Sequence, residues 1–366
     1  MTADFPIQTA TPDTRAEFER WVGFYAAMHA PLYAALSGGV AGDPDLIDIA
    51  ARTRKGQPIA PTLFNAVHYL LLADPDHPLG RWYASIEEHP RDPSTAFAPF
   101  RAYCLERRDR IVEIVATRTT QATTVERAAV LMLAFARVQD ATGTALSIIE
   151  MGCSAGFNLL FDRYRHEFTH GADALPALGD PDSPVVLRPR MIHARAPLPA
   201  RMPEVAVRVG VDLAPVDPHD PDTRRWMQAL HPPEFVDTVR NIERAFAVRR
   251  AYPLRVLRGD AVELVGPLID EIPGPVCVLH SNCLYQWPEA PRQAVERILR
   301  DAGARRPVHR ISMEPDFNAP ARILERFPPG SSIHSELIHT LYDGGRREQT
   351  LLGYVDGHAR WIDWLA

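Results

Sequence analysis

The chain has 366 residues, of which 46% are hydrophobic and 23% charged, so its composition is that of a globular protein with a substantial core. Its formal net charge of -6 gives no electrostatic reason to expect nucleic acid or an anionic membrane surface as a partner. Lys55 is the only lysine, and its surroundings fit neither a phosphate-binding loop nor a pyridoxal Schiff base, so both of these enzyme classes are excluded.

The cysteines are not arranged as a zinc ribbon or a redox pair, because no two of them are separated by two residues. They are Cys104, Cys153, Cys277 and Cys283. The first thirty residues lack the apolar core of a signal peptide, and the longest apolar stretch, 128–136, is too short to span a bilayer. We therefore expect a soluble, cytoplasmic protein with free thiols.

Residues 1–144 are predicted to form a helical N-terminal domain that acts as a lid. Apolar residues recur there at helical spacing, and proline and glycine separate the segments. The predicted helices are 13–30, 62–72, 94–117 and 124–140. No strand-like pattern precedes Ala145.

Residues 145–366 are predicted to form an α/β domain, because short apolar runs alternate with helical patterns. The predicted strands are 145–150, 205–211, 254–257, 276–280 and 309–313, and the predicted helices are 157–168, 222–250, 262–270 and 291–302. Residues 171–204 are interpreted as an insertion with a hairpin at 185–195. Three strands at 336–342, 348–354 and 359–364, separated by Asp-Gly turns, predict an antiparallel edge.

A glycine-rich turn follows the first predicted strand, in Glu150-Met-Gly-Cys-Ser-Ala-Gly156. Its small residues allow a sharp turn into a helix and let a ligand approach backbone N–H groups at the helix N-terminus. A purely structural turn is one interpretation. Another is the methyltransferase pattern of an acidic residue followed by Gly-x-Gly-x-Gly, with Ser154 replacing the middle glycine. The spacing does not suit dinucleotide binding, because the third glycine of that motif would fall at Phe157.

The same segment is also a Gly-x-Ser-x-Gly nucleophile elbow, which would make Ser154 the nucleophile of an α/β-hydrolase, with His358 available for a triad. In that fold several strands precede the nucleophile, whereas the residues before 145 are predicted to be helical. A third motif, His166-Glu-Phe-Thr-His170, matches a helical zinc site. The proline-rich sequence beyond it supplies no third ligand, so we interpret these histidines as lying at a helix end beside solvent and predict no metal site.

The motif Glu-x-Gly-x-Ser-Ala-Gly-x-Asn-Leu (150–159), followed by Asp-Arg-Tyr (162–164), resembles the bacterial family known as domain of unknown function 2332. The segments 209–217, 258–262 and 278–281 match as well, so the resemblance covers most of the chain. The family is similar to class I S-adenosylmethionine-dependent methyltransferases. The resemblance therefore implies a Rossmann-like, seven-stranded methyltransferase sheet, mostly parallel with an antiparallel C-terminal edge.

The resemblance also implies roles for particular residues. The loop would face the methionine end of S-adenosylmethionine, with Glu150 near its amino group; Asp212 would hold the ribose hydroxyls, and Asp260 would lie beside the adenine. The implied cofactor-binding residues are Glu150, Gly152, Ser154, Ala155, Gly156, Asn158, Asp212, Asp260, Ala261 and His280. Each of the two aspartates could instead cap the following helix.

Methyl transfer in such folds usually occurs at the end of the fourth strand, here Leu279-His-Ser-Asn-Cys-Leu-Tyr285. His280 is the candidate base and Tyr285 a candidate for orienting the acceptor, although a core histidine satisfied by hydrogen bonds explains His280 equally well. Glu314 is a weaker candidate. We expect a small-molecule acceptor, S-adenosylhomocysteine as the product, and no nucleic-acid or membrane partner. A cofactor-binding protein without catalysis is the alternative, and the oligomeric state is left open.

Overall fold

The computed structural model describes residues 12–316, 323, 325–328 and 334–366, and within them the chain alternates helices and strands. The helices are α1 (Pro12–Ala27), α2 (Pro31–Ala41), α3 (Pro44–Ala50), α4 (Ile59–Ala73), α5 (Phe97–Glu106), α6 (Arg108–Thr117), α7 (Arg127–Thr142), α8 (Pro221–Ala229), α9 (Val236–Ala251), α10 (Ala261–Glu271) and α11 (Glu289–Gly303). Short 3-10 segments cover Pro78–Trp82, Pro93–Thr95, Asn158–Arg163 and Leu284–Gln286.

The strands are β1 (Leu146–Met151), β2 (Arg165–His166), β3 (Thr169–His170), β4 (Asp173–Ala174), β5 (Leu178–Gly179), β6 (Val186–Leu187), β7 (Arg190–Met191), β8 (Val205–Asp212), β9 (Arg255–Arg258), β10 (Val276–Ser281), β11 (Val308–Pro315), β12 (His334–Asp343), β13 (Arg346–Asp356) and β14 (Trp361–Trp364). Among the described residues, the larger sheet has eleven strands in the order β4-β3-β7-β14-β13-β12-β11-β10-β1-β8-β9. A second sheet has the order β5-β2-β6.

Five parallel strands, in the order β9-β8-β1-β10-β11, form the part of the sheet that was predicted from alternating strands and helices. Every residue of β1 and β10 is buried, as expected for parallel strands covered on both faces. The direction of strand order reverses between β1 and β10. The carboxyl ends of these two strands therefore flank a topological switch point, where open α/β sheets usually bind ligands.

An antiparallel run, β11-β12-β13-β14, continues the sheet. Gly344 and Gly345 form the two-residue turn between β12 and β13 with φ of +54° and +82°, which only glycine adopts without strain, so the predicted hairpin is confirmed. This run does not form an edge, because β7, β3 and β4 pair beyond β14.

The predicted α/β class with a mostly parallel sheet is thus confirmed, whereas the seven-stranded arrangement is not, because the sheet has eleven strands. The additional strands arise in the segment interpreted as an insertion, 171–204, and in the residues just before it. Its short strands β4 and β7, together with β3, pair along the side of β14 that would otherwise be an exposed edge. The predicted hairpin at 185–195 is wrong: β6 pairs with β2, and β7 pairs with β14 and β3.

Three predicted helices were also wrong in extent. The segment 94–117 is two helices, α5 and α6, which are separated at Arg107. The segment 157–168 forms a 3-10 segment that ends at Arg163, after which Tyr164 is extended and the chain enters β2. The segment 222–250 is two helices, α8 and α9, and Pro232 and Pro233 lie in the break between them, where proline cannot donate the hydrogen bonds of a continuing helix.

The chain divides into two compact units. Among the described residues, the first contains 12–123, 220–243 and 328, and the second contains 124–219, 244–316, 323, 325–327 and 334–366. The first unit has a helical core in which aromatic rings pack edge-on or tilted around Phe64; they belong to Phe18, Tyr25, Tyr33 and Phe100. The second contains the large sheet. The sequence-based division into 1–144 and 145–366 stays a prediction.

The predicted free thiols are confirmed, because all four cysteines are unbridged. Within the described ranges, every helix is too short or too polar to cross a lipid bilayer.

Candidate functional site

The carboxyl ends of β8, β1 and β10 bring the predicted site residues to one edge of the sheet. Glu150 pairs in register with Gly210 of β8 and Leu279 of β10, and one residue further along Met151 lies beside His280. Asp212 ends β8. The described part of the chain has no strand before β1, so the turn after β1 follows the first strand, as the methyltransferase interpretation requires.

The turn is tight because three alternate residues are left-handed. Gly152, Ser154 and Gly156 have φ of +68°, +51° and +76°. The Gly152 and Cys153 amides both donate to the Val211 carbonyl, at 2.8 and 3.3 Å, which holds the turn against β8. The left-handed conformation costs Ser154 about 1 kcal/mol relative to ordinary backbone, and such strain is concentrated at functional sites.

Glycine is required at positions 152 and 156 because protein atoms, rather than open space, lie where a side chain would be. A Cβ on Gly152 would come 2.3 Å from Cys283 Sγ, and one on Gly156 would come 2.7 Å from Leu254 Cδ1. Packing thus requires glycine at both positions, and the approach of a ligand to the backbone N–H groups of the turn stays a prediction. The first glycine is needed for packing against the turn after β10, and the second for packing against the residue before β9.

Asp212 fixes the turn to the end of β8. Its Oδ2 accepts a hydrogen bond from the Ser154 amide and its Oδ1 one from the Ala214 amide, both at 2.8 Å, and the residue is only 5% exposed. Each carboxylate oxygen keeps a second lone pair, so these bonds leave capacity for a ligand hydroxyl. The ribose-binding role of Asp212 stays a prediction.

Glu150 is a buried carboxyl group, 2% exposed, whose Oε1 accepts from Asn158 Nδ2 at 2.8 Å. Burial raises its pKa from 4.5 to about 8; the Asn158 hydrogen bond and the Arg127 charge oppose the rise, and the Asp212 charge adds to it. The group is therefore largely protonated at neutral pH. A ligand cation would convert it to the carboxylate.

Four buried polar atoms around this turn have no hydrogen-bond partner among the described residues. They are Glu150 Oε2, Ser154 Oγ, Asn158 Oδ1 and Ser281 Oγ. Buried polar atoms in folded proteins are nearly always satisfied by protein, water or ligand. Their location at the switch point makes this edge of the sheet the candidate binding site for a polar molecule.

A hydrogen-bond network organises the end of β10. Glu314, on β11, accepts from the backbone amides of Cys283, Leu284 and Tyr285 at 3.1–3.2 Å. It also accepts from His280 Nδ1 at 2.5 Å. Burial raises the pKa of Glu314, but these hydrogen bonds and the His280 interaction outweigh it, so the pKa lies below its usual value. Glu314 therefore acts as a charged anchor for the 3-10 segment after β10.

Both ring nitrogens of His280 are occupied. Arg310 Nε donates to Nε2 at 2.9 Å while Nδ1 donates to Glu314, and the ring is 1% exposed. Burial lowers the pKa of His280, Glu314 raises it and Arg310 lowers it further. This geometry favours the core histidine that the sequence left open as the alternative. The base role stays a prediction, and it requires Arg310 to release Nε2.

Other residues at this edge are more accessible. The side chain of Tyr285 is 42% exposed. Asn282 is left-handed, with φ of +49°, and with its amide oriented to suit its neighbours it donates to the Met313 carbonyl and the Ser335 hydroxyl. Asn282 Oδ1 then accepts from Arg127 Nη2 at 3.0 Å. Arg127 was missed by sequence reasoning; the only signal was a charged residue at the start of the longest apolar stretch.

Asp260 caps a helix, as its alternative interpretation proposed. It lies at the N-terminus of α10, where its Oδ1 accepts from the Val262 amide at 2.8 Å, and it is exposed. Ala261 is buried beside it. A role for either residue beside an adenine ring stays a prediction.

The histidines of the zinc-like motif do not lie on a helix, which corrects their assignment to a helix end. His166 is buried in β2 with Nε2 2.7 Å from the Phe161 carbonyl, and His170 lies in β3 of the other sheet. Ser154 Oγ hydrogen-bonds to no histidine in the part of the chain that the structure describes, which argues against the hydrolase alternative.

A separate cavity of about 460 Å³ lies in the second unit, away from all of these residues. It is lined by α7, by residues 197–199, by β12 and β13, and by Trp364. None of the residues singled out from the sequence lines this cavity.

Comparison with known proteins identifies the family. The chain belongs to the family described as "Uncharacterized protein conserved in bacteria (DUF2332)", which it matches over residues 15–364. No curated protein and no solved structure matches the chain significantly. The family resemblance drawn from the motifs is therefore confirmed, and the similarity to methyltransferases stays a prediction.

Proposed function

We propose that this member of the DUF2332 family binds S-adenosylmethionine at the carboxyl ends of β1, β8 and β10 and transfers its methyl group to a small-molecule acceptor. The observation that supports this proposal most is the cluster of unpartnered polar atoms on Glu150, Ser154, Asn158 and Ser281, located at a switch point of the sheet. A nucleoside-linked amino acid has the ammonium and hydroxyl groups that such atoms bind.

Each residue then has a defined task. Glu150 holds the ammonium group of the cofactor, and Asn158 keeps the Glu150 carboxyl in place through its side-chain amide. Asp212 positions the turn and offers its remaining lone pairs to the ribose hydroxyls. Asp260 and Ala261, after β9, border the adenine.

The bound cofactor supplies a methyl group on a sulfonium centre, and the protein has to align the acceptor with it. We assign the orientation of the acceptor to Tyr285 and Asn282, which follow the end of β10. A hydroxyl acceptor needs a base. His280 can act as that base only when Arg310 Nε no longer donates its hydrogen bond to His280 Nε2. An acceptor that is already deprotonated needs no base.

A second candidate function is cofactor binding without catalysis. The occupied ring nitrogens of His280 favour it, because they leave the end of β10 without a free base. Incubation with radiolabelled S-adenosylmethionine and a library of acceptors separates the two candidates. Methyl transfer to any acceptor by the wild type, absent in His280→Ala, supports the enzyme. Binding of the cofactor without methyl transfer to any acceptor supports the alternative.

Calorimetry with S-adenosylhomocysteine tests the pocket common to both candidates. Asp212→Asn should weaken binding at least about tenfold, because the neutral amide loses one of the two acceptors that hold the turn. Asp301→Asn, at an exposed position on α11, is the matched control and should bind like the wild type. Equal affinity in all three proteins would contradict the assignment. Gly156 is unsuitable for this test, since a side chain there would collide with Leu254.

A further inference from the structure

Arg127 is a buried cation that forms no ion pair with a carboxylate among the described residues. It begins α7 and is 9% exposed. Its Nε donates to the Gly357 carbonyl at 3.4 Å and its Nη2 to Asn282 Oδ1 at 3.0 Å. A buried charge costs several kcal/mol unless it is paired, so an arginine in this position indicates a missing anion.

Three carboxyl groups act on Arg127 electrostatically without forming an ion pair with it among the described residues; they are Glu314, Glu150 and, with the smallest effect, Glu126. Glu314 interacts with Arg127 electrostatically, but its charge is already held by three backbone amides and His280. Glu150 also interacts with Arg127, but burial keeps it largely protonated at neutral pH. Arg249, the other buried arginine near the turn, likewise donates to two oxygens, the carbonyls of Ala155 and Tyr252, but Glu150 affects the pKa of Arg127 and not that of Arg249.

We infer that Arg127 and Glu150 together bind an α-amino acid group, with the carboxylate on Arg127 and the ammonium on Glu150 Oε2. This inference rests on the proposed function, in which that group is the methionine end of the cofactor. A ligand with only an ammonium group would leave Arg127 unpaired and add a second cation to the pocket. A ligand with only a carboxylate would leave Glu150 Oε2 without a partner. A zwitterion satisfies both groups and leaves two ion pairs with no net charge, once the Glu150 proton has passed to solvent.

The planar guanidinium fork suits a carboxylate, which it can bind through two parallel hydrogen bonds. Nη1 of Arg127 donates to no residue that the structure describes, so this nitrogen is available to the ligand. Arg127 is thus assigned as a specificity-determining residue that selects the amino acid end of the ligand.

Two nucleosides that differ only in the carboxylate test this assignment. They are S-adenosylhomocysteine and its decarboxylated analogue, S-adenosyl-3-thiopropylamine, measured by calorimetry. The wild type should bind S-adenosylhomocysteine about 30-fold more tightly or better, as expected when one partner of a buried charge pair is removed. Arg127→Met should lose this preference to within about threefold, and Arg127→Lys, which keeps the charge without the fork, should fall between.

Thermal unfolding separates binding from structure. Arg127→Met substitutes a shorter apolar side chain for a buried charge that has no ion-pair partner among the described residues; the relief of that charge should offset the lost hydrogen bonds to Gly357 and Asn282, so the Tm without ligand should not fall. Equal wild-type affinity for the two nucleosides, a preference that survives in Arg127→Met, or a marked fall in Tm would overturn the inference and leave the proposed function standing. Failure of the wild type to bind either nucleoside would overturn both.

Discussion

Replacing Glu150 with glutamine should stabilise the protein and weaken its binding of cofactor at the same time. The glutamine has the shape of the protonated carboxyl group and keeps an acceptor for Asn158 Nδ2. It cannot take up the charge of a ligand ammonium group, so affinity for S-adenosylhomocysteine should fall at least about tenfold.

The size of the stabilisation follows from the pKa of Glu150. The folded value is about 8 and the ordinary value is 4.5, so between these limits the folded protein holds a proton that the unfolded chain has lost. Wild-type stability therefore falls as the pH rises, by about 1.4 kcal/mol per pH unit. Relative to a carboxyl group with an unshifted pKa, the wild type loses free energy of unfolding on the order of 2 kcal/mol at pH 6 and 3 kcal/mol at pH 7. Glutamine does not ionise and therefore does not have this loss.

Urea unfolding at pH 6, 7 and 8 measures this difference. The free-energy advantage of Glu150→Gln should grow by about 1 kcal/mol or more per pH unit between pH 6 and pH 7, and less above pH 8, where the folded carboxyl group ionises as well. Glu263→Gln, at an exposed position on α10, should show no such trend. A Glu150→Gln protein that is less stable than the wild type, or whose advantage does not change with pH, would refute the reasoning.

Three further outcomes are expected. Binding of S-adenosylhomocysteine at pH 7 should release a proton from Glu150, seen as a dependence of the calorimetric enthalpy on the ionisation enthalpy of the buffer; an enthalpy independent of buffer would contradict this. Glu314→Ala should lower the free energy of unfolding by about 3 kcal/mol, since it strands three amides and His280, whereas Tyr285→Phe should change it by less than about 0.5 kcal/mol. Incubation with a fluorophosphonate should leave Ser154 unlabelled in the intact mass spectrum, because no histidine in the described residues activates its hydroxyl, and labelling would favour the hydrolase.

The location of the site could be predicted from the sequence because it depends on short-range patterns. An apolar run ending at Glu150 predicts β1, and a second ending near Asp212 predicts β8. The rule that parallel strands in a βαβ fold share their carboxyl edge then places these two residues together. Hairpin turns such as Gly344-Gly345 were predictable for a similar reason, since two consecutive glycines determine the turn type.

The polar partners could not be predicted, because they come from distant parts of the sequence. Arg127 reaches Asn282 from a helix before the sheet, and Glu314 reaches His280 from the next strand. Neither pairing leaves a local pattern. The occupied state of His280, which weakens its candidacy as a base, follows only from the side chains of β11.

The extent of the sheet was also beyond the sequence pattern. Strands β3, β4 and β7 have two residues each, too few to show an alternation of apolar and polar side chains. They are fixed by pairing with one another and with β14. The segment after the glycine-rich turn was predicted as a longer helix because its apolar residues recur at roughly helical spacing. The structure has a short 3-10 segment there, accompanied by tertiary contacts such as that of Asn158 with Glu150.

Hydrogen–deuterium exchange with and without S-adenosylhomocysteine tests most directly whether the turn after β1 is the binding site. Binding should slow exchange of the backbone amides in residues 150–158, 212–216 and 280–285, which form the carboxyl edge of β1, β8 and β10. Unchanged exchange in these three segments, or protection confined to residues 197–199 and 339–350 around the separate cavity, would contradict the account.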